Sequence, residues 1–181
     1  MRAAIATVSS RVPTGLQLPS QGAIITLRAT PPAPDLGVVY VQQVDGLLQE
    51  SRAVVLALRS FVPRAASDAI DRSAAVTLAR SYVEQRRLQL EQAGAFNVPP
   101  EFASAQQLLL RSLQASLADD QALVIWTVAR RDGSGDTRAA FARVNRVGAQ
   151  ATALKQQFLR VYGPSRQAAT GLSPGSLPDT F

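Results

Sequence analysis

Four polar side chains fall on helical faces that are otherwise apolar, and these residues are the best placed to do chemistry. At about 100° per residue, each projects in the same direction as the alanine, valine or leucine side chains of its own segment. A charge buried without a partner is costly, so such residues must pair with one another or hold a polar ligand. The candidate interhelical polar cluster consists of Arg72, Arg86, Gln106 and Asp120.

The turn at residues 94–100 determines which members of this cluster can meet. Arg72 lies about as far before the turn as Asp120 lies after it. Antiparallel helices on either side of the turn would place these two at one level, which predicts an Arg72–Asp120 ion pair. Arg86 is expected at the level of Gln106. Three interpretations stay open: an ion pair that sets the helix register, a kink that turns Asp120 outward, or a polar ligand site between helices.

Several chemistries are excluded because the chain has no cysteine and no histidine. Disulfides, thiolate catalysis, zinc fingers and His-based catalytic triads all require those residues. The loop from Asp132 to Asp136 is similar to the first half of a calcium loop, but Thr137 stands where glycine is needed and Arg143 where glutamate is needed. A turn followed by a helix cap explains the same residues. The sequence predicts no metal site.

One weak nucleophile motif remains, in which Thr152 and Lys155 occupy the positions of a Ser-x-x-Lys pair. We expect Lys155, the only lysine of the chain, to lie on a basic helical surface instead. Glycosidase chemistry needs paired carboxylates and aromatic platforms, and aromatic residues make up only 6% of the chain. The sequence therefore predicts a protein that is not an enzyme and that uses no cofactor.

Positive charge is concentrated near the C-terminal end, where residues 138–181 carry six basic side chains and one acidic side chain. A basic helix face can meet nucleic-acid phosphates, anionic lipids or an acidic protein, although it is often merely solvated. Nucleic acid is not favoured, because no recognition motif accompanies the charge. Peripheral membrane contact stays open. The candidate basic surface consists of Arg138, Arg143, Arg146 and Arg160.

Four amphipathic segments of helical period must position these residues. They are predicted to span about 35–61, 67–94, 99–131 and 136–163, with caps at Asp35 and near Asp136. Short connections make neighbouring helices antiparallel. The predicted fold is all-α: an elongated up-down-up-down four-helix bundle over residues 35–163. No segment is apolar for long enough to suggest a membrane span.

The two ends of the chain have a different composition from the bundle. Residues 1–34 alternate weakly and contain turn residues, which predicts an extended N-terminal arm with a short β-hairpin. Residues 164–181 are rich in Pro, Gly and Ser, which predicts a C-terminal tail. The leading functional hypothesis is a structural or accessory subunit that docks on other subunits of an assembly through both ends.

Two alternatives accompany that hypothesis. One is a ligand-binding or sensory helical bundle that uses the interhelical polar residues, and it predicts a cavity beside them. The other is a binder of anionic surfaces or nucleic acid that acts through the basic face of the fourth helix. Neither the cellular compartment nor the identity of a partner follows from the sequence.

Overall fold

The computed structural model describes residues 35–178 and residue 181. This part of the chain is helical and contains no strand, so the predicted all-α fold with four long helices is confirmed. The predicted N-terminal arm and its hairpin, residues 1–34, lie outside the described residues. The α-helices are α1 (Leu36–Ala66), α2 (Arg72–Gly94), α3 (Ala103–Asp132) and α4 (Thr137–Thr170), with short 3-10 helices at Pro100–Phe102 and Pro174–Ser176.

Aspartate side chains cap three of the four α-helices at their N-terminal ends. Asp35, Asp71 and Asp136 each accept a hydrogen bond from a backbone N–H of the first turn. Such a cap satisfies a donor that has no partner inside the helix. The caps predicted at Asp35 and Asp136 are therefore confirmed, whereas α2 begins later than predicted.

Two helices extend beyond their predicted ends, at residues 61 and 163, and each runs through a proline. α1 continues past Pro63 to Ala66, and α4 continues past Pro164 to Thr170. A proline leaves one helical carbonyl without its N–H partner. Both prolines are exposed, so water can serve that carbonyl. α4 ends instead at Gly171, whose φ of +71° is favoured only by glycine.

The C-terminal segment contradicts the prediction of a tail over residues 164–181. Its first part is helical, and residues 171–178 follow as a short irregular segment with one 3-10 turn. Phe181 is fully buried, and its ring lies edge-on to Phe158 at 5.4 Å between centroids. These residues therefore fold against the helices of their own chain.

Helix α3 is the central element, since it packs extensively on both α2 and α4, while α1 makes fewer contacts. The side-chain amide of Gln106, early in α3, donates to the carbonyl of Ala93, late in α2, at 2.6 Å. At the other end, Arg72 donates to the carbonyl of Arg130 at 3.1 Å. The start of α3 thus meets the end of α2, and the start of α2 meets the end of α3.

Two apolar clusters fill the interior. One includes Tyr40, Phe102 and Phe158, and the other includes Phe61 and Trp126. Several buried polar side chains occupy the level between them, contributed by α1, α2 and α3: Ser51, Arg86, Gln89, Ser116 and Asp120. This arrangement places a buried polar cluster in the middle of the helical body.

Candidate functional site

A buried ion pair joins α2 to α3 at that middle level. Arg86 Nε lies 3.4 Å from Asp120 Oδ2, and both side chains are almost fully buried, at 1% and 2% exposure. The same guanidinium donates to Ser51 of α1 and to Gln89, at 2.9 Å in the second case. Two of the four predicted cluster residues therefore meet, and Arg86 links three helices.

The predicted Arg72–Asp120 pair is wrong. Arg72 is exposed and pairs with Asp68 at 3.0 Å, while its second contact is the carbonyl of Arg130. Arg130 lies ten residues beyond Asp120, about 15 Å along a helix. The cause is the connection between α2 and α3: residues 95–102 contribute an irregular segment and a 3-10 turn, which shifts the register of α3.

Gln106 is buried, as its position on the apolar face predicted, but it does not meet Arg86. It accepts a hydrogen bond from the Tyr40 hydroxyl at 2.8 Å and donates to the carbonyl of Ala93. Burial raises the pKa of Tyr40 well above its usual value. Both polar groups of the amide are satisfied, so Gln106 has a structural role near the end of α2.

A cavity of about 740 Å³ opens beside the Arg86–Asp120 pair, between α1, α3 and α4. This volume lies within the range of about 300–1,000 Å³ that is typical of small-molecule sites. Apolar side chains from α1 and α4 form one part of its wall: Val55, Leu58, Val62, Phe141 and Val144.

Charged side chains form another part of the same wall, where Asp119 and Lys155 join the Arg86–Asp120 pair. Asp119 Oδ1 is buried and has no hydrogen-bond partner among the described residues. The carboxylate of Asp119 can lie close to α4 because Gly148 has no side chain. A methyl group at position 148 would lie only 3.2 Å from Asp119 Oδ2. Lys155 Nζ lies 5.4 Å from the ring centroid of Phe181 and makes no hydrogen bond within the described part of the chain.

The environment of the cavity shifts the pKa values of its ionisable groups. Burial, reinforced by the negative charge of Asp120, raises the pKa of Asp119 to about 6. Burial also raises the pKa of Asp120, against the opposing effect of Arg86. Burial, reinforced by the positive charge of Arg86, lowers the pKa of Lys155 to about 8. Near neutral pH, the cavity therefore holds an acid and an amine that both exchange protons readily.

Sequence reasoning missed Asp119 and misplaced Lys155. Lys155 lies fourteen residues after Phe141, close to four helical turns, and so shares a direction with the apolar residues of α4. That spacing was a usable signal that the lysine faces inward. Asp119 follows the buried serines Ser112 and Ser116 at helical spacing, and these small residues indicate where another helix can come close.

The candidate basic surface is exposed throughout, as its position on α4 predicted. Arg160 donates to the carbonyl of Gln156, a contact within its own helix. No group of three or more acidic side chains that could hold a metal ion occurs in residues 35–178. The described helices include none with the length and hydropathy needed to cross a membrane. The exposed set comprises Arg138, Arg143, Arg146 and Arg160.

Comparisons with protein-family models, with curated proteins and with solved structures find no match for this chain.

Proposed function

We propose that this protein binds a small amphipathic molecule in the cavity between α1, α3 and α4. The observation that carries the proposal is the carboxylate of Asp119, which lines the cavity and whose buried Oδ1 atom has no partner among the described residues. A buried acceptor without a hydrogen bond costs about 1–3 kcal/mol, and a ligand that donates to it offsets that cost.

The composition of the wall defines the chemistry of the ligand. Val55, Leu58 and Phe141 favour an apolar body, because removing apolar surface from water is favourable. Asp119 offers an acceptor and Lys155 offers donors, so the polar head should both donate and accept hydrogen bonds. A hydroxyl group or a primary amide has this property.

A matched pair of probes tests this chemistry: 4-phenyl-1-butanol, which carries a hydroxyl head, and butylbenzene, which has a related skeleton without a head. Trp126 is the only tryptophan of the chain, and its ring lies 5.0 Å from that of Phe141 on the cavity wall. Tryptophan fluorescence excited at a wavelength that the probes do not absorb should therefore report binding. We expect the alcohol to bind more tightly than the hydrocarbon.

Three variants test the location and the chemistry of the binding site. Val144→Phe fills the cavity and should abolish the response to the alcohol, whereas Val161→Phe on the exposed side of α4 should leave it intact. Asp119→Leu removes the free acceptor and should abolish the preference for the alcohol. Equal binding of both probes to the wild-type protein, or binding that survives Val144→Phe, would refute the proposal.

Docking into a larger assembly stays a second proposal. A groove between α1 and α2 favours it, since Ala53 and Ala57 leave space there and Leu88 is 64% exposed beside them. Deletion of residues 1–30 should abolish co-purification of an assembly while the helical circular dichroism is retained, and an intact assembly would contradict this role.

Binding of anionic surfaces through the basic face of α4 also stays a prediction. Its four arginines are exposed, which is necessary for such contact but does not distinguish it from a solvated face. Binding of vesicles that contain phosphatidylserine should weaken steeply with added salt if the face is used. Salt-independent binding, or none, would contradict the prediction.

A further inference from the structure

We propose that Lys155 forms an imine with an aldehyde that carries an apolar tail, within the cavity between α1, α3 and α4, and that Asp119 serves as the proton donor and acceptor for this reaction. The inference rests on the proposed function, because the same cavity must first admit the apolar tail. It goes further by assigning a covalent role to Lys155.

The position of Lys155 separates it from an ordinary surface lysine. It lines the cavity on the same helix as Phe141 and Val144, about three to four turns further along. Its ammonium lies over the ring of Phe181, and no carboxylate of the described residues lies within ion-pair distance of it. Asp119 and Asp120 favour the charged form of Lys155 from beyond that distance, but burial of the amine and the positive charge of Arg86 outweigh them.

The lowered pKa of Lys155, about 8, supports a nucleophilic role. Only the neutral amine attacks a carbonyl carbon, and a lysine becomes a nucleophile when its surroundings disfavour the ammonium. At neutral pH, a shift from the usual pKa near 10.4 to about 8 raises the neutral fraction about two-hundredfold. The adjacent basic group Arg86 contributes to that shift through its positive charge.

The reaction balances without an oxidant or a reductant. The Lys155 nitrogen bonds to the carbonyl carbon, and a proton moves from nitrogen to oxygen to give a carbinolamine. Protonated Asp119 then donates to the hydroxyl group, which leaves as water while the nitrogen lone pair forms the C=N bond. The Asp119 carboxylate takes the remaining proton from nitrogen. One aldehyde and one amine thus give one imine and one water.

The single lysine of the chain makes the test selective. The full-length protein is incubated with 4-phenylbutanal and sodium cyanoborohydride, which reduces the imine to a stable secondary amine, and the modified peptides are located by mass spectrometry. Arg160→Lys provides the reference, because it adds an exposed amine on the same helix of the same molecule. At pH 7, we expect Lys155 to be modified about tenfold faster than position 160, or more.

The pH profile separates a role for Asp119 from mere binding. Because the reaction needs a protonated acid and a neutral amine, the wild-type rate should be highest between about pH 6 and pH 8, the pKa values of the two groups, and should fall on either side. Asp119→Asn should lower the rate in that range and should leave a profile that rises to about pH 8 without the fall above it. A profile unchanged by Asp119→Asn would overturn the role of Asp119.

The alcohol probe distinguishes failure of this inference from failure of the proposed function. If 4-phenyl-1-butanol binds but Lys155 reacts no faster than the amine at position 160, the imine is refuted and the ligand-binding cavity stands. If neither the alcohol nor the aldehyde perturbs Trp126 and Lys155 shows no selectivity, both are refuted. Lys155→Arg should abolish modification at position 155 and leave only the terminal amine as a target.

Discussion

Two polar regions of this molecule use the same kinds of side chain in opposite ways. Near the C-terminal end, the Asp45 carboxylate accepts hydrogen bonds from Tyr162 at 2.9 Å and from Arg166 at 2.7 Å. Arg166 also donates to the Ser173 carbonyl and the Ser176 hydroxyl, which ties the segment after α4 to the helices. In the cavity, by contrast, Asp119 retains a buried oxygen without a partner within the described structure.

The difference separates a structural cluster from a candidate binding site. Where each polar group has a partner, burial of charge holds one conformation in place. Where a charged group is buried without a hydrogen-bond partner, the protein is less stable than it would be with an apolar residue at that position. Natural proteins depart from the most stable choice mainly at functional sites, which is why we propose the cavity, and not the Asp45 cluster, as the functional site.

The largest expected effect comes from the ion pair at the edge of the cavity. Arg86→Met should lower the free energy of unfolding by about 3–5 kcal/mol, because Asp120 would stay buried without its partner. Urea denaturation followed by circular dichroism measures this. The double variant Arg86→Met with Asp120→Leu should recover much of the loss, and a double variant as unstable as Arg86→Met alone would contradict the account.

A smaller loss is expected at the structural cluster. Arg166→Met should lower the free energy of unfolding by about 2–3 kcal/mol, since Asp45 is partly exposed and water can replace some of the lost contacts. The segment 171–178 should also become more accessible, which hydrogen exchange can measure. Arg160→Met, on the exposed side of the same helix, is the control and should have little effect on either measurement. Unchanged exchange in Arg166→Met would show that this arginine does not hold the segment.

The sequence predicted the helices better than it predicted the contacts between them. Helical period and aspartate caps located four helices, because both signals are local. The Arg72–Asp120 prediction failed since register depends on the conformation of residues 95–102, which no periodicity describes. The end of α4 was missed because an exposed proline such as Pro164 need not end a helix, and a distant contact, Arg166 with Asp45, stabilises the turn that follows.

The candidate site could be predicted only in part, for a similar reason. Arg86 and Asp120 were identified because each is a charge on an apolar face. Lys155 lies on such a face too, but the surrounding arginines of α4 suggested a surface position. That Asp119 would keep an oxygen without a partner depends on the distances among three helices, and it therefore required the structure.

Asp119 should respond to mutation with the opposite sign to the structural cluster. Asp119→Asn should raise the free energy of unfolding at pH 7 by about 1–2 kcal/mol, because it removes a charge that burial disfavours and that solvent screens only in part. The folded pKa, about 6, exceeds the unfolded value, so the contribution of Asp119 to stability is present below about pH 4 and is lost as the pH rises through 6. Glu91→Gln, at an exposed acid of α2, is the matched control and should change little. Destabilisation by Asp119→Asn at pH 7 would mean that the carboxylate has a structural partner.

The smallest effect is expected at Lys155, whose charge the Phe181 ring partly compensates. Lys155→Met should raise the free energy of unfolding by about 1 kcal/mol at pH 7. The folded pKa, about 8, is below the unfolded value near 10.4, so the contribution of Lys155 to stability is present above about pH 10 and is lost as the pH falls through 8. The advantage of Lys155→Met over the wild type should therefore shrink between pH 8 and pH 10, as measured by denaturation at a series of pH values. An advantage that stays constant over this range would mean that Lys155 has an ordinary pKa, and the contrast between the two polar regions would then rest on Asp119 alone.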